Sequence, residues 1–255
     1  MPLPKIVIVA SSFGIESVIK QGHATLVPLA VAAGADGIEI RRELFHDAVC
    51  HSVDALQALA KTLNSQQLLA VYSAPTPLFL DDGALNLDAL SDLLREAEAL
   101  NASSLKLQLG HFAGDVDVSV LRATLAASNV ALLVENGQLQ TGGRIADFTN
   151  FFAICSMAKL PVGMTFDIGN WIWAGEDPLR AAQQLTPYVH YIHCKGVEGE
   201  GMRRFAAAPN EDTLAYWRKC LAVLPKTVPR GIEYPLPDQG IGPAAKQHVA
   251  QLRSV

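Results

Sequence analysis

The sequence predicts one (β/α)8 barrel over residues 1–255, and three observations carry that expectation. The chain has 255 residues, half of them hydrophobic, which suits the roughly 250 residues that one eight-fold barrel occupies. Short apolar runs alternate with longer stretches whose Leu and Ala recur at three- and four-residue spacing, the pattern of strands separated by helices. The glycine-rich phosphate turn of a doubly wound open sheet is missing, because ASSFGIES after the first run is not G-x-G-x-x-G.

In chain order the strand runs are KIVIVAS (5–11), DGIEIR (36–41), LLAVYSAP (68–75), SLKLQLG (104–110), VALLVEN (130–136), GMTFDIGN (163–170), VHYIHCKG (189–196) and RGIEYPL (230–236). Between them lie helical stretches such as LDALSDLLREAEAL and VSVLRATLAASN. Asn86 and Asp88 stand where the helix after the third run needs a cap, and Pro178 suits a first turn.

Net charge is −5, with 18% charged residues. No basic block points to nucleic acid, and no run of about 18 apolar residues points to a membrane span. The opening MPLPKIVIVASSFG is apolar only briefly and reads as a strand, not a signal peptide. Four cysteines (Cys50, Cys155, Cys194, Cys220) are widely spaced without a C-x-x-C pair, so reduced thiols and a cytoplasmic location are expected.

Barrel chemistry gathers at the carboxyl ends of the strands. The polar residues there are Glu39 and Arg41, Tyr72, Lys106 and Gln108, Glu135, Asp167, His193 with Lys195, and Glu233. Side chains two apart share a face, so Leu105, Leu107 and Leu109 face the helices while Lys106 and Gln108 face inward. Likewise Glu39 and Arg41 lie inside, as do Tyr191, His193 and Lys195, whereas Cys194 faces out. Charges inside a barrel are costly unless paired, hydrogen-bonded or metal-bound. Glu135, Asp167, His193 and Glu233 close four successive strands and form an oxygen-rich set suited to one divalent ion, Mn²⁺ or Mg²⁺ first, Co²⁺ or Zn²⁺ second. The plainer alternative is a set of strand-end salt bridges to Arg41, Lys106 or Lys195.

The motifs LLVEN, TFDIGNW, HYIHCKG and GIEYP, in that order, resemble strands five to eight of the xylose-isomerase-like superfamily of sugar isomerases and epimerases. That group also holds inosose dehydratase and AP endonucleases. The resemblance implies a single-metal site on Glu135, Asp167, His193 and Glu233, with Glu135 and Glu233 as the acid/base pair and a homodimer as assembly. It implies proton transfer next to a carbonyl of a small sugar or keto acid through an enediolate. Lys195, facing the same way as His193, is expected either to stabilise an enediolate oxygen or to pair with Glu233. Two departures matter. The Asp-x-x-His of the family is here Asp167-Ile-Gly-Asn170, and the further histidines of a trinuclear nuclease are absent among seven in all. A dehydratase of inosose or dehydroshikimate type, and a barrel that binds sugar without turnover, are the alternatives.

Substrate contacts are expected from Glu39, Tyr72, Lys106, Gln108, Asn170 and the loop residue His111. Trp171 and Trp173 should form an apolar wall over the pocket. Arg203, in the glycine-rich stretch GVEGEGMRRF, should reach an anionic or polyhydroxylated substrate, and its glycines suit a lid.

Overall fold

The eight apolar runs form parallel strands that close on themselves in the computed structural model, which describes residues 3–237 and 240–255. The barrel strands are β1 (Ile6–Val9), β2 (Gly37–Arg41), β3 (Leu69–Phe79), β4 (Ser104–Gly110), β5 (Ala131–Glu135), β6 (Val162–Asp167) and β7 (Val189–Cys194), with β10 (Arg230–Ile232) last. A small antiparallel hairpin, β8 (Gly196–Glu198) and β9 (Phe205–Ala207), follows β7 at the mouth. β1 pairs with β10 through Ile6–Arg230, Val7–Gly231 and Ile8–Ile232, so the sheet is closed and a doubly wound fold is excluded.

Helices cover the outside: α1 (Ile15–Gln21), α2 (Leu26–Ala33), α3 (Val53–Ser65), α4 (Leu87–Ala99), α5 (Val118–Ala126), α6 (Ile145–Met157), α7 (Ile168–Ala174), α8 (Pro178–Leu185), α9 (Glu211–Val223) and α10 (Ile241–Ser254). Local chemistry starts several of them. Asp117 accepts from the amides of Ser119 and Val120, and Asn210 from Thr213. Pro178 sits in the first turn of α8 behind its cap Asp177. Asn86 precedes α4 without capping it; its amide donates instead to the Pro77 carbonyl. No helix among the described residues is long and apolar enough to cross a membrane.

Strand alternation divides the apolar residues into two cores. Ile6, Ile8, Ile38, Ile40, Leu105, Leu107, Leu109, Ile192 and Cys194 pack outward against the helices. Inside, Val7, Val71, Leu133 and Tyr191 make a separate layer, one residue from each of β1, β3, β5 and β7. The next inward positions toward the carboxyl ends are no longer apolar. They are Glu39 beside Val71, Lys106 beside Leu133, Thr165 beside Tyr191 and Gly231 beside Val7. A Cβ at Gly231 would stand 2.5 Å from the Tyr191 hydroxyl and 2.8 Å from a His193 ring carbon. Only glycine there leaves room for both rings.

Candidate metal centre at the barrel mouth

β5, β6, β7 and β10 are neighbours in the barrel, so the residues at their carboxyl ends converge. Glu135, Asp167, His193 and Glu233 each present one ligand atom, and these atoms lie within 4.8 Å of one another. His193 is fully buried and central. Its Nδ1 stands 2.7 Å from Glu135 Oε1, 3.1 Å from Glu233 Oε2 and 3.7 Å from Asp167 Oδ2.

Each member is fixed from behind. Asp167 caps α7, its Oδ1 accepting from the Asn170 amide at 2.8 Å, which leaves Oδ2 for the cluster. Glu135 Oε2 receives Lys106 Nζ at 2.5 Å, leaving Oε1. Glu233 is held by Arg41 Nη1 at 3.0 Å and by Lys195 Nζ at 2.7 Å. On the far side of the imidazole, Glu39 Oε2 lies 2.6 Å from His193 Nε2. A proton on Nε2 directed at Glu39 leaves Nδ1 aimed at three carboxylate oxygens, the carboxylate–histidine arrangement that orients a metal ligand.

Electrostatics follow from this crowding. Burial alone would raise the carboxyls of Glu39, Glu135 and Glu233. Lys106 and His193 outweigh it for Glu39 and Glu135, as Lys195 and His193 do for Glu233, so all three are held below the usual carboxylate range. Asp167 goes the other way: burial raises it and the Glu233 charge adds to that, against Lys195. Burial would lower His193, but Glu39 and Glu233 hold its pKa well above the ordinary histidine value. The centre of the cluster therefore demands positive charge. Glu135 Oε1, Asp167 Oδ2 and His193 Nδ1 are buried and meet charged groups of the cluster itself: one another and, for Asp167, Lys195 at 2.8 Å. A divalent ion is the group that satisfies all three at once, and the donor set of carboxylates with one imidazole fits it.

The other residues singled out in the sequence sort differently. Lys106 and Lys195 line the cluster. Glu39 is fully buried and contacts His193 Nε2 at 2.6 Å. Tyr72 turns outward: Val71 belongs to the inner core, so its neighbour faces the helices, where the Tyr72 hydroxyl donates to Glu96 Oε2 at 2.6 Å. Trp171 lies on α7, fully buried against Phe148 and Phe166, and forms no wall of the pocket. Trp173 is the indole at the mouth, with Lys195 Nζ 6.0 Å from its ring centre. Asn170 is structural, its amide donating to the Asn136 carbonyl at 2.8 Å. Gln108 is exposed at the top of β4, and His111, outside the cluster, pairs with Asp81 at 3.0 Å. Arg203 is exposed. Its neighbour Arg204 makes the contact, donating to the Ile172 and Trp173 carbonyls and tying the β8–β9 hairpin to α7. Arg41, bonded to Glu233, is the residue that the inward pairing with Glu39 should have placed at the site.

A cavity of about 480 Å³ opens at the other, amino-terminal end of the barrel, lined by Leu69, Val71, Leu133, Gly163, His190 and Tyr191. It lies below the inner apolar layer and holds none of the cluster.

No protein-family model and no curated protein sequence matches this chain. Solved structures do, and they show its fold to be that of the xylose isomerase-like TIM barrels. One is D-psicose 3-epimerase of Clostridium cellulolyticum H10 with D-tagatose, at TM-score 0.67 and 13% identity, over 98% of this chain and 96% of that one. A second is an IOLI protein with a bound zinc atom, at TM-score 0.66 and 14% identity, over 98% and 96%. A third is the "probable 3-DHS dehydratase AsbF" of Bacillus anthracis, at TM-score 0.65 and 14% identity, over 97% and 98%.

Proposed function

We propose that this chain is a divalent-metal-dependent isomerase or epimerase of small sugars or keto acids, acting by proton transfer next to a carbonyl. The observation that carries the reading is the convergence of Glu135, Asp167, His193 and Glu233 on one point, each presenting one ligand atom within 4.8 Å of the others. These four residues would hold the ion, with Mn²⁺ or Mg²⁺ suited to so many oxygens and Zn²⁺ suited to the imidazole. When bound, the ion supplies Lewis-acid polarisation of the substrate carbonyl.

The remaining chemistry belongs to the chain. Glu135 and Glu233 are held ionised by Lys106 and Lys195, so each can accept a proton from carbon. One carboxylate removes the proton and the other returns it, and a positioned base of this kind typically supplies about 10² to 10⁴-fold in rate. Lys195, whose pKa is raised by Asp167 and Glu233 against the effect of burial, keeps its charge for oxygen that gains electron density. The same charged Lys195 favours a second reading, a dehydratase in which it protonates a departing hydroxyl; loss of water from the product separates the two.

The test is metal content and metal-dependent melting of the purified protein before and after chelation, beside Glu135→Gln and His193→Ala. About one divalent ion per chain is expected, with binding lost in both variants. A parent protein that neither retains metal nor is stabilised by added Mn²⁺ or Mg²⁺ would overturn the reading. So would undiminished solvent-deuterium exchange into substrate in Glu135→Gln and Glu233→Gln.

A further inference from the structure

The interior of the barrel is stacked in layers contributed by alternate strands. Val7, Val71, Leu133 and Tyr191 form the apolar layer, and Glu39, Lys106, Thr165 and Gly231 lie on its carboxyl side. The layer on its amino side falls two residues earlier on those same strands. It consists of Gly37 beside Val7, Ser104 beside Val71, Gly163 beside Leu133, and Pro229 just before β10. Bulky branched side chains dominate such layers in other barrels. None of these four is branched, and the unfilled space is the cavity of about 480 Å³ at the amino-terminal end. Val71, Leu133 and Tyr191 line it on the side of the apolar layer, with Leu69, Leu160 and Pro229 around them.

Two polar groups enter these apolar walls. Ser104 is 6% exposed, faces inward and lines the cavity, and its hydroxyl makes no hydrogen bond among the described residues. Ser103 beside it shows the ordinary outcome, its hydroxyl donating to the Ala70 carbonyl at 3.0 Å. His190 is the second. The β6–β7 register shifts there, Met164 facing Val189 but Thr165 facing Tyr191, so His190 is an extra residue in its strand. Its exposed ring leans over Gly163, where any Cβ would collide with Nδ1. No Asp, Glu, Lys or Arg lines the cavity among the described residues. A buried hydroxyl left unpaired is costly, and a bound partner recovers that cost. A charged guest would lose its hydration against such walls without gaining a counter-ion. The space is ample, since about 150 Å³ of apolar cavity already holds benzene.

We propose that this cavity is a second binding site, for a neutral, ring-sized apolar molecule whose hydroxyl bonds to Ser104 inside or to His190 at the opening. The apolar layer of Val7, Val71, Leu133 and Tyr191 divides it from the metal centre, so the site does not depend on the reaction proposed for the mouth.

The experiment is calorimetric titration of the purified chain with phenol, toluene and benzoate, which share one ring and differ in its substituent. Phenol is expected to occupy about one site per chain with a dissociation constant of about 1 mM or lower. It should bind about fivefold tighter than toluene and about tenfold tighter than benzoate. Ser104→Ala should bring phenol down to the affinity of toluene. Ser104→Leu should fill the space and abolish phenol binding. Where that variant does not fold, Ala131→Leu, at an exposed position of the same lining, carries the test. Every result should be the same with and without added Mn²⁺. No binding of phenol up to about 10 mM overturns the proposal. Phenol that binds no better than toluene or benzoate overturns it too. Binding undiminished in the filled variants, or dependent on Mn²⁺, puts the guest elsewhere, with the same result.

Discussion

The two halves of the barrel contribute opposite things to the mouth. β5, β6, β7 and β10 supply Glu135, Asp167, His193 and Glu233, four potential ligands on adjacent strands. β2 and β4 supply none of these ligands but send Glu39, Arg41 and Lys106 across the interior to hold them. The difference shows how a barrel can crowd carboxylates together. Ligands must come from neighbouring strands to converge, and the charges that hold them come from both sides, Arg41 and Lys106 from β2 and β4 and Lys195 from just beyond β7. Damage to the first half should appear as lost stability or weaker metal affinity, and damage to the second half as lost metal.

The largest expected first-half effect is at His23, in the turn between α1 and α2. Its ring is buried against Phe45 at 4.3 Å, and neither nitrogen has a hydrogen-bond partner. Burial lowers its pKa from 6.5 to about 4. The unfolded chain therefore takes up this proton before the folded chain does. The stability that depends on the neutral ring is whole above pH 6.5 and is lost as pH falls toward about 4. On metal-free protein, urea unfolding at about pH 7.5 and about pH 4.5 should differ by roughly 2 to 3 kcal/mol more in the parent than in His23→Phe. An equal acid loss in both proteins would remove His23 from the account.

A smaller effect is expected at Glu39. Glu39→Gln keeps the size of the side chain but weakens its hold on His193 Nε2, and such partners of metal ligands typically contribute about 10- to 100-fold in affinity. Calorimetric Mn²⁺ titration should show about one site per chain, weakened by that factor, where His193→Ala shows none. Unchanged affinity in Glu39→Gln would mean the first half does not orient the ligands.

The asymmetry between the halves was only partly legible in the sequence. Alternation along SLKLQLG and HYIHCKG gave the inward faces of Lys106, His193 and Lys195 directly, because a strand's period of two survives any tertiary context. The same rule applied to LLAVYSAP puts Val71 inside and Tyr72 outside. The sequence puts Trp171 in a wall over the pocket, but the chain turns into α7 immediately after Asp167 and carries the indole into the core. No local signal announces that Glu39 meets His193, 154 positions away, because that contact is set by closure of the barrel. The choice of Arg204 over Arg203 likewise depends on how the β8–β9 hairpin lies on α7.

The smallest effect should come from Tyr72, and it separates holding from chemistry most cleanly. Its hydroxyl donates to Glu96 Oε2, which also accepts from Arg42 Nε at 2.7 Å, outside the barrel. Burial, followed by the Glu96 hydrogen bond, raises the phenol well above its ordinary pKa, so it stays neutral and donating. Tyr72→Phe removes one hydrogen bond to a charged acceptor, a change worth about 1.5 to 3 kcal/mol when the acceptor is left unpaired. Glu96 keeps both bonds from Arg42, so the loss should lie near 1 kcal/mol. Metal affinity should not move, since the side chain faces away from the cluster. A stability loss with metal binding intact would leave Tyr72 a strut between β3 and α4. Weakened metal binding would place it in communication with the mouth and blur the line between the half that holds and the half that acts.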